Sequence, residues 1–320
     1  MTPAGIERLP IAAAGCLLVV LGLALAAPGS IALARARWTR RAPGWSLLLW
    51  QAVCLAAGFS VVAGLALLAV EPSGYTLVGA GLDWWSSLVA GELTVWRTAC
   101  GMLSLAITVV LLASLTRTAW RTVSRRRLHR QMVDLLSRPI PGRVPLGAGC
   151  QVRLMEHRSA VAYTLPGLHA RLVVSTGLVD LLTSAELTAV VAHERAHLRA
   201  RHDILIMPFQ SWVAAFGRVR GVREAGRSVS ELTEMLADDV AAGLSGPDVL
   251  ASALARVALE GRCGAVAASA WSVATPTTCI TDRVRRLRHP NPLPVGARIG
   301  ILVAAAVLLA VPPTVLTLTW

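Results

Sequence analysis

The stretch AHERAHLRARHD, from Ala192 to Asp203, concentrates residues that can bind a metal ion or transfer a proton. Within it, His193, Glu194 and His197 form the pattern HExxH. Histidines four positions apart project from one face of a helix, so both imidazoles can reach a single zinc ion, and the neighbouring glutamate can act as general base. Zinc makes a water molecule acidic enough to lose a proton near pH 7. The pattern predicts hydrolytic chemistry with one zinc ion per chain.

Zinc needs a third protein ligand, and Asp203 is the nearest acidic candidate, six residues after His197. A ligand at that spacing requires the chain to turn back towards the metal, usually through a glycine three residues after the second histidine. Ala200 occupies that position, so we expect the helix to continue and to carry Asp203 away. We expect His202 to be a surface histidine near the end of the same helix.

The second candidate lies downstream, in ELTEMLADDVAA. Glu234 and Asp238 are four residues apart and therefore share one helix face. Ser228 and Glu231 resemble a capping box that begins this helix, which leaves Glu234 as the carboxylate available to the metal. We favour Glu234 as the third ligand, with Asp238 accepting a hydrogen bond from the far nitrogen of a liganding imidazole.

Short elements upstream would position this site. Residues 151–157, 160–165 and 171–175 alternate or cluster apolar residues as strands do, and residues 177–182 look helical. Thr183 and Glu186 have the spacing of a capping box at the start of the helix that carries HExxH. The pattern predicts a small α+β domain with an antiparallel sheet, built around the two helices that hold the candidate ligands.

The rest of the chain is strongly apolar, with 55% hydrophobic residues. Four apolar runs have the length of a membrane-spanning helix, which is roughly 17–25 residues. They are Pro10 to Ala27, Ser46 to Val70, Thr98 to Ser114 and Ile299 to Leu318. We therefore predict a mostly α-helical membrane protein: a three-helix membrane unit over residues 1–116, a peptidase-like domain over residues 117–290, and a final transmembrane helix over residues 291–320.

The basic residues, all of them arginine, predict how the chain crosses the membrane. Clusters follow the first and third apolar runs and precede the fourth, and basic segments beside a membrane stay in the cytoplasm. We expect a multi-pass protein of the cell membrane with both termini outside and residues 117–290 in the cytoplasm. The arginines would face the anionic inner leaflet of the lipid bilayer, which makes nucleic acid an unlikely partner despite the net charge of +13.

Three stretches together resemble the membrane zinc peptidases of the BlaR/MecR type, the antirepressors that respond to beta-lactams. They are HERAHLRARHD, EMLADDVAA and RLVVSTGLVDLL. These are similar to the HtpX and CAAX prenyl endopeptidase clan. The resemblance covers roughly residues 120–290 and implies a gluzincin-like zinc endopeptidase. It implies His193, His197 and Glu234 as zinc ligands, Glu194 as catalytic base and Asp238 as the partner of a ligand. The chain contains no lysine, so we expect no SxxK-type sensor domain.

The resemblance also implies two roles outside the metal site. Strand residues Arg171, Leu172, Val173, Val174 and Ser175 would be the sheet edge along which a peptide substrate pairs. Arg283, in RVRRL, would help to polarise the scissile carbonyl. Thr277 stands where HtpX-like relatives have a histidine, which leaves the stabiliser of the developing oxyanion open.

Two other functions compete with that of a peptidase acting on a membrane or cytoplasmic, possibly regulatory, protein. A site-two-type intramembrane protease also uses HExxH, but here arginines flank the motif where such proteases have an apolar span. A catalytically silent membrane sensor or scaffold could keep the fold without turnover.

Overall fold

The computed structural model describes residues 10–70, 77–139, 150–167, 170–263 and 277–319. These residues form mostly helices with one small sheet. The helices are α1 (Ile11–Ala24), α2 (Ser30–Arg35), α3 (Pro43–Ala69), α4 (Leu77–Ala90), α5 (Val95–Leu136), α6 (Thr176–Leu181), α7 (Ser184–Arg199), α8 (His202–Phe216), α9 (Arg220–Ser245), α10 (Pro247–Cys263), α11 (Thr277–Arg288) and α12 (Val295–Thr319). The strands are β1 (Ser137–Pro139), β2 (Cys150–Met155), β3 (Ala162–Leu165) and β4 (Ala170–Ser175).

Four helical segments in the described residues are long and apolar enough to cross a membrane, as the sequence predicts. They are Ile11–Arg35, Pro43–Ala69, Val95–Leu136 and Val295–Thr319. The first combines α1 and α2 through a π-helical segment, Leu25–Gly29, that contains Pro28. Proline has no N–H to donate to the preceding turn, so the helix widens at this point instead of keeping its regular bonding.

The third span continues well beyond the membrane. α5 has 42 residues and is therefore about 63 Å long at 1.5 Å per residue. The basic segment from Arg117 to Arg130 is the C-terminal part of this one helix rather than a separate element. α5 also runs through the predicted boundary between residues 116 and 117, so the division into three parts stays a prediction.

α8 and α9 form a helical hairpin that packs beside the spans. The amide of Gln51 in α3 donates to the carbonyl of Leu205, and the hydroxyl of Ser114 in α5 donates to the carbonyl of Ser211. Further along, the Trp212 ring fits against Gly58 so closely that a Cβ there would lie 2.8 Å from it. α8 therefore packs lengthwise against α3 and α5, in agreement with its apolar sequence.

The sheet is mixed rather than antiparallel, which corrects one part of the predicted fold. Its strand order is β1-β2-β4-β3, in which β4 is parallel to β2 and antiparallel to β3. The antiparallel expectation assumed that consecutive strands pair. Instead β4 lies between β2 and β3, because Leu172 and Val174 pack with Leu178 of α6 and Val191 of α7 in one buried cluster.

α9 begins eight residues earlier than the sequence predicts. Ser228 lies inside this helix, which starts at Arg220, and Glu231 pairs with Arg40 at 3.0 Å instead of capping a helix. The predicted capping box at Ser228 is therefore wrong. The helix ends at Gly246, whose φ of 88° is a conformation that glycine adopts without strain.

The loop between the first two spans contacts the helices that follow the site. Arg40 bonds both Glu231 of α9 and Asp282 of α11, each at 3.0 Å. Its carbonyl accepts a hydrogen bond from Arg286. These contacts fix α9 and α11 relative to the membrane helices and place the loop on the same side of the spans as the site.

Candidate metal centre

α7 places the two motif histidines one turn apart. Its predicted capping box is present: the Thr183 hydroxyl accepts from the Glu186 N–H, and the Glu186 carboxylate accepts from the Thr183 N–H. Because the start of α7 is fixed, the directions in which its later side chains project are fixed as well. The Nε2 atoms of His193 and His197 lie 3.1 Å apart. Two nitrogen lone pairs this close repel each other unless a proton or a cation lies between them.

α9 brings Glu234 to the same point. Its carboxylate oxygens lie 3.5 Å from Nε2 of His193 and 3.5 Å from Nε2 of His197. The ligand atoms of the three residues all lie within 4.8 Å of one another. Ligands of a tetrahedral zinc ion, each about 2.0–2.1 Å from it, lie about 3.3 Å from one another. The spacings and the donor set fit zinc, so these three residues could hold the metal.

Asp238 lies one turn after Glu234 and is completely buried. Its Oδ1 is 3.0 Å from Nδ1 of His193, the nitrogen that faces away from the cluster. The Arg283 guanidinium donates two hydrogen bonds of 2.7 Å to the same carboxylate. Burial would raise the pKa of Asp238, but Arg283 and His193 outweigh burial and lower it to about 2. Asp238 is therefore an anion that accepts from His193.

The two histidines differ in charge when no metal is bound. Burial opposes the charged form of His193, but the hydrogen bonds that its ring donates to Asp238 and Glu234 dominate and raise its pKa to about 9. Burial lowers the pKa of His197 to about 3, so this imidazole is neutral. Burial also opposes ionisation of Glu234, but Arg283 and the two histidines keep its pKa well below the usual range.

The family comparison agrees with this geometry. Residues 123–236 match the model of peptidase family M48. The matched segment contains the HExxH motif and Glu234, and it ends before Asp238 and Arg283. The match indicates a metallopeptidase. A comparison with curated proteins found no significant match. The closer resemblance to BlaR/MecR-type enzymes stays a prediction.

Glu194, the expected base of this M48-like site, lies against β3. The hydroxyl of Thr164 donates a hydrogen bond to its carboxylate, but burial has the larger effect and raises the pKa of Glu194 to about 7. A group with a pKa near the working pH can both accept and return a proton. Thr164 did not stand out in the sequence, because a threonine in a strand has no spacing signal for chemistry.

His202 and Asp203 differ from their predicted environments. α7 ends at Arg199, and Arg201 adopts a left-handed conformation with φ of 47°, so the chain turns despite the lack of a glycine. His202 is 2% exposed rather than on the surface. Its Nδ1 lies 2.8 Å from Nδ1 of His197. Asp203 pairs with Arg126 of α5 at 2.6 Å and is not part of the metal cluster, as expected.

Arg283 contacts the carboxylates of the site. Besides its two bonds to Asp238, its Nη1 is 3.1 Å from Oε2 of Glu234. Arg283 as a whole is 6% exposed. The structure thus brings Arg283 to the site but directs it at Glu234 and Asp238, where it holds the ligand and its partner. The predicted contact of Arg283 with a scissile carbonyl stays a prediction.

The strand expected to bind substrate is central, which overturns that prediction. β4 pairs with β2 on one side and β3 on the other, so it has no free edge. Leu172, Val173 and Val174 are buried, and Arg171 pairs with Asp134 at 2.6 Å. The hydroxyl of Ser175 caps α6. A partly apolar, β-branched strand is typical of a sheet interior, so the composition of RLVVS was consistent with the central position.

Proposed function

We propose that this protein is a zinc endopeptidase embedded in the cell membrane, with its site facing the cytoplasm. The observation that carries the proposal is the meeting of His193, His197 and Glu234 within one zinc-sized cluster, beside Glu194, in a segment that matches M48 peptidases. Its substrate would be a peptide segment of a membrane or cytoplasmic protein, such as a regulator.

Each polar side chain has a task in peptide hydrolysis. Bound zinc would supply a water molecule of lowered pKa and a positive charge beside the scissile carbonyl. Glu194 would be the base that accepts a proton from the attacking water and the acid that returns it to the leaving amine. Asp238 fixes the tautomer of His193 by accepting from its Nδ1. Arg283 holds Asp238 and Glu234 in place through its three contacts.

The peptide would bind to the edge of β3. The Val161 carbonyl accepts from the N–H of Ser175, which makes these two residues a hydrogen-bonded pair of the antiparallel ladder. Such pairs alternate along the strands, so the main-chain groups of Ala162 and Thr164 point away from β4. An extended peptide can add to them as a further strand. Because Thr164 also bonds Glu194, that peptide would pass directly beside the base.

The position of α9 favours a substrate near the membrane. The side chain of Leu236, two residues after Glu234, packs 3.6 Å from where a Cβ of Gly44 would lie. Gly44 stands at the start of α3, where the second span begins. The proposed site is therefore level with the inner end of this span. Peptide bonds that follow a transmembrane segment of a substrate protein would lie within its reach.

A Glu194→Gln variant tests the proposed activity. We expect the variant to bind zinc as tightly as the wild type and to lose at least about 100-fold in cleavage of an unfolded reporter such as casein, because the amide cannot accept a proton. Zinc content by atomic absorption and cleavage in detergent micelles are the measurements. Equal cleavage by variant and wild type would refute the enzymatic proposal. A wild type that binds zinc but cleaves nothing would favour the silent scaffold.

A further inference from the structure

The tip of the α8–α9 hairpin lies deep beside the membrane spans. From Pro43 at the start of α3 to Gly58, where Trp212 packs, is 15 residues, or about 22 Å of helix. On the descending side, a Cβ at Gly221 would lie 2.3 Å from the carbonyl of Ala26 in the first span. Since the hydrocarbon core of a bilayer is about 30 Å thick, the tip lies beside the middle of the spans.

That tip is strongly basic. The segment RVRGVREAGR, residues 218–227, contains four arginines (Arg218, Arg220, Arg223 and Arg227) and one acidic residue, Glu224, which leaves a net charge of +3. Arg220 and Arg227 expose 62% and 68% of their side chains, and both share Glu224 at 4.0 and 3.8 Å.

The basic residues lie on the outer face of α9. Val222, Ala225 and Val229 are buried towards the spans and α8, with Val229 and Ala225 in one cluster with Trp50. Arg220 and Arg223 lie on the opposite face and are exposed. Charged side chains at this depth are unfavourable in hydrocarbon unless a counter-charge or water accompanies them. One carboxylate cannot neutralise the whole set.

We propose that Arg220, Arg223 and Arg227 bind the phosphate group of an anionic phospholipid, drawn inwards from the inner leaflet. The site is separate from the metal centre and does not depend on peptidase activity. Guanidinium groups match phosphate oxygens with two parallel hydrogen bonds. The phosphodiesters of lipids are also the abundant anions next to a membrane-embedded helix. A lipid of net negative charge balances more of the +3 charge than a zwitterionic lipid does. We therefore expect the site to bind anionic lipids more tightly than zwitterionic lipids.

Thermal unfolding of the purified protein in detergent, with added phospholipid, tests the proposal. We expect phosphatidylglycerol to raise the unfolding midpoint of the wild type more than phosphatidylcholine does. The triple variant Arg220→Gln, Arg223→Gln, Arg227→Gln should lose most of that difference. The matched control is Arg138→Gln, Arg158→Gln, Arg256→Gln, which removes the same charge from exposed positions outside the basic clusters that flank the spans and should retain the difference.

Three results would overturn the lipid site. The first is that both lipids raise the unfolding midpoint of the wild type equally. The second is that the two triple variants lose the same part of the phosphatidylglycerol effect. The third is that inorganic phosphate raises the midpoint as much as phosphatidylglycerol does. The single variants Arg220→Gln and Arg227→Gln cover the case in which the triple variant does not fold. Each should lose part of the phosphatidylglycerol effect while zinc binding stays unchanged, and no loss in either would also refute the site.

Discussion

The two imidazoles of the candidate metal cluster have different partners at their second nitrogens. His193 faces the Asp238 carboxylate at 3.0 Å, whereas His197 faces another imidazole, His202, at 2.8 Å. A carboxylate favours the charged form of its histidine, but a buried neutral imidazole does not. The two ligands of the same cluster therefore start from different protonation states before a metal binds.

The first prediction concerns the pH dependence of zinc binding. Zinc binds only the neutral form of His193, whose pKa is raised to about 9 in the metal-free protein. Between pH 7 and pH 9 we expect zinc affinity to rise about tenfold per pH unit and about one proton to be released on binding. Chelator competition and calorimetry in buffers of different ionisation enthalpy measure both quantities.

The raised pKa of His193 also makes the stability of the metal-free protein depend on pH. As pH rises, this stability falls, whereas zinc affinity increases. A histidine whose folded pKa exceeds its ordinary 6.5 stabilises the metal-free protein fully below pH 6.5, and this contribution is lost as pH rises through 9. The metal-free protein should therefore unfold at lower temperature at pH 9 than at pH 7. A zinc affinity that stays flat over this range would contradict the assigned protonation state.

The second prediction concerns His202. In the zinc-bound protein, Nδ1–H of His197 would donate to His202, and loss of such a partner typically weakens metal binding by about 10–100-fold. We expect this loss in His202→Leu and a smaller one in His202→Gln, which keeps an acceptor. The readouts are chelator competition and the absorption spectrum of the cobalt-substituted protein.

Asp203→Asn is the matched control for His202. It breaks the ion pair with Arg126 in the same turn but touches no ligand, so zinc affinity should stay near that of the wild type. If the Asp203 variant loses as much affinity as His202→Leu, the effect belongs to the turn and not to the imidazole contact.

Among the elements, β3 carries the proposed substrate-binding edge, although it is only four residues long. It offers two outward main-chain groups at Ala162 and Thr164, and it contacts the base through Thr164. α7 supports it from one side of the sheet. The edge and the metal centre are therefore joined through one side chain.

The third prediction tests this edge. Ala162→Pro removes an outward N–H without taking a hydrogen bond from β4, since proline is tolerated at such edge positions. We expect a rise in KM of about 3–10-fold, with zinc binding unchanged, from the loss of one hydrogen bond to the peptide. Ala160→Pro lies just before the strand and serves as control. An unchanged KM in the Ala162 variant would exclude strand addition at β3.

The sequence predicted the helices of the site better than its sheet or its turn. HExxH and the Glu234/Asp238 pair depend on local helical spacing, which a sequence shows directly. The order of β3 and β4 depends on contacts between distant segments, so RLVVS was assigned to the wrong position. The turn at Arg201 was missed because residues other than glycine rarely adopt a left-handed conformation. His202 was misplaced for the same reason.

At the scale of the whole molecule, the first loop and the site lie on one side of the spans, because Arg40 bonds Glu231 and Asp282. This agrees with the prediction that the arginine-rich first loop and the arginine-rich segments near the site lie on the same side of the membrane. Which compartment that is follows only from the distribution of arginine.

The fourth prediction tests the compartment. A protease added to intact cells should leave residues 117–290 undigested, whereas the same protease added to inverted membrane vesicles should cut this region. Immunodetection of a tag inserted after Glu260 would follow the fragments. Cutting in intact cells would reverse the predicted orientation while leaving the metal centre unaffected.

The packing of Leu236 on Gly44 fixes the height of the proposed catalytic centre relative to the start of the second span. If the proposed function holds, the enzyme would select a peptide bond by its distance from the membrane as well as by the side chains around that bond. A substrate could then be protected simply by lifting its cleavable segment a few residues away from the surface, or exposed by pulling that segment back, with no change in the peptidase itself.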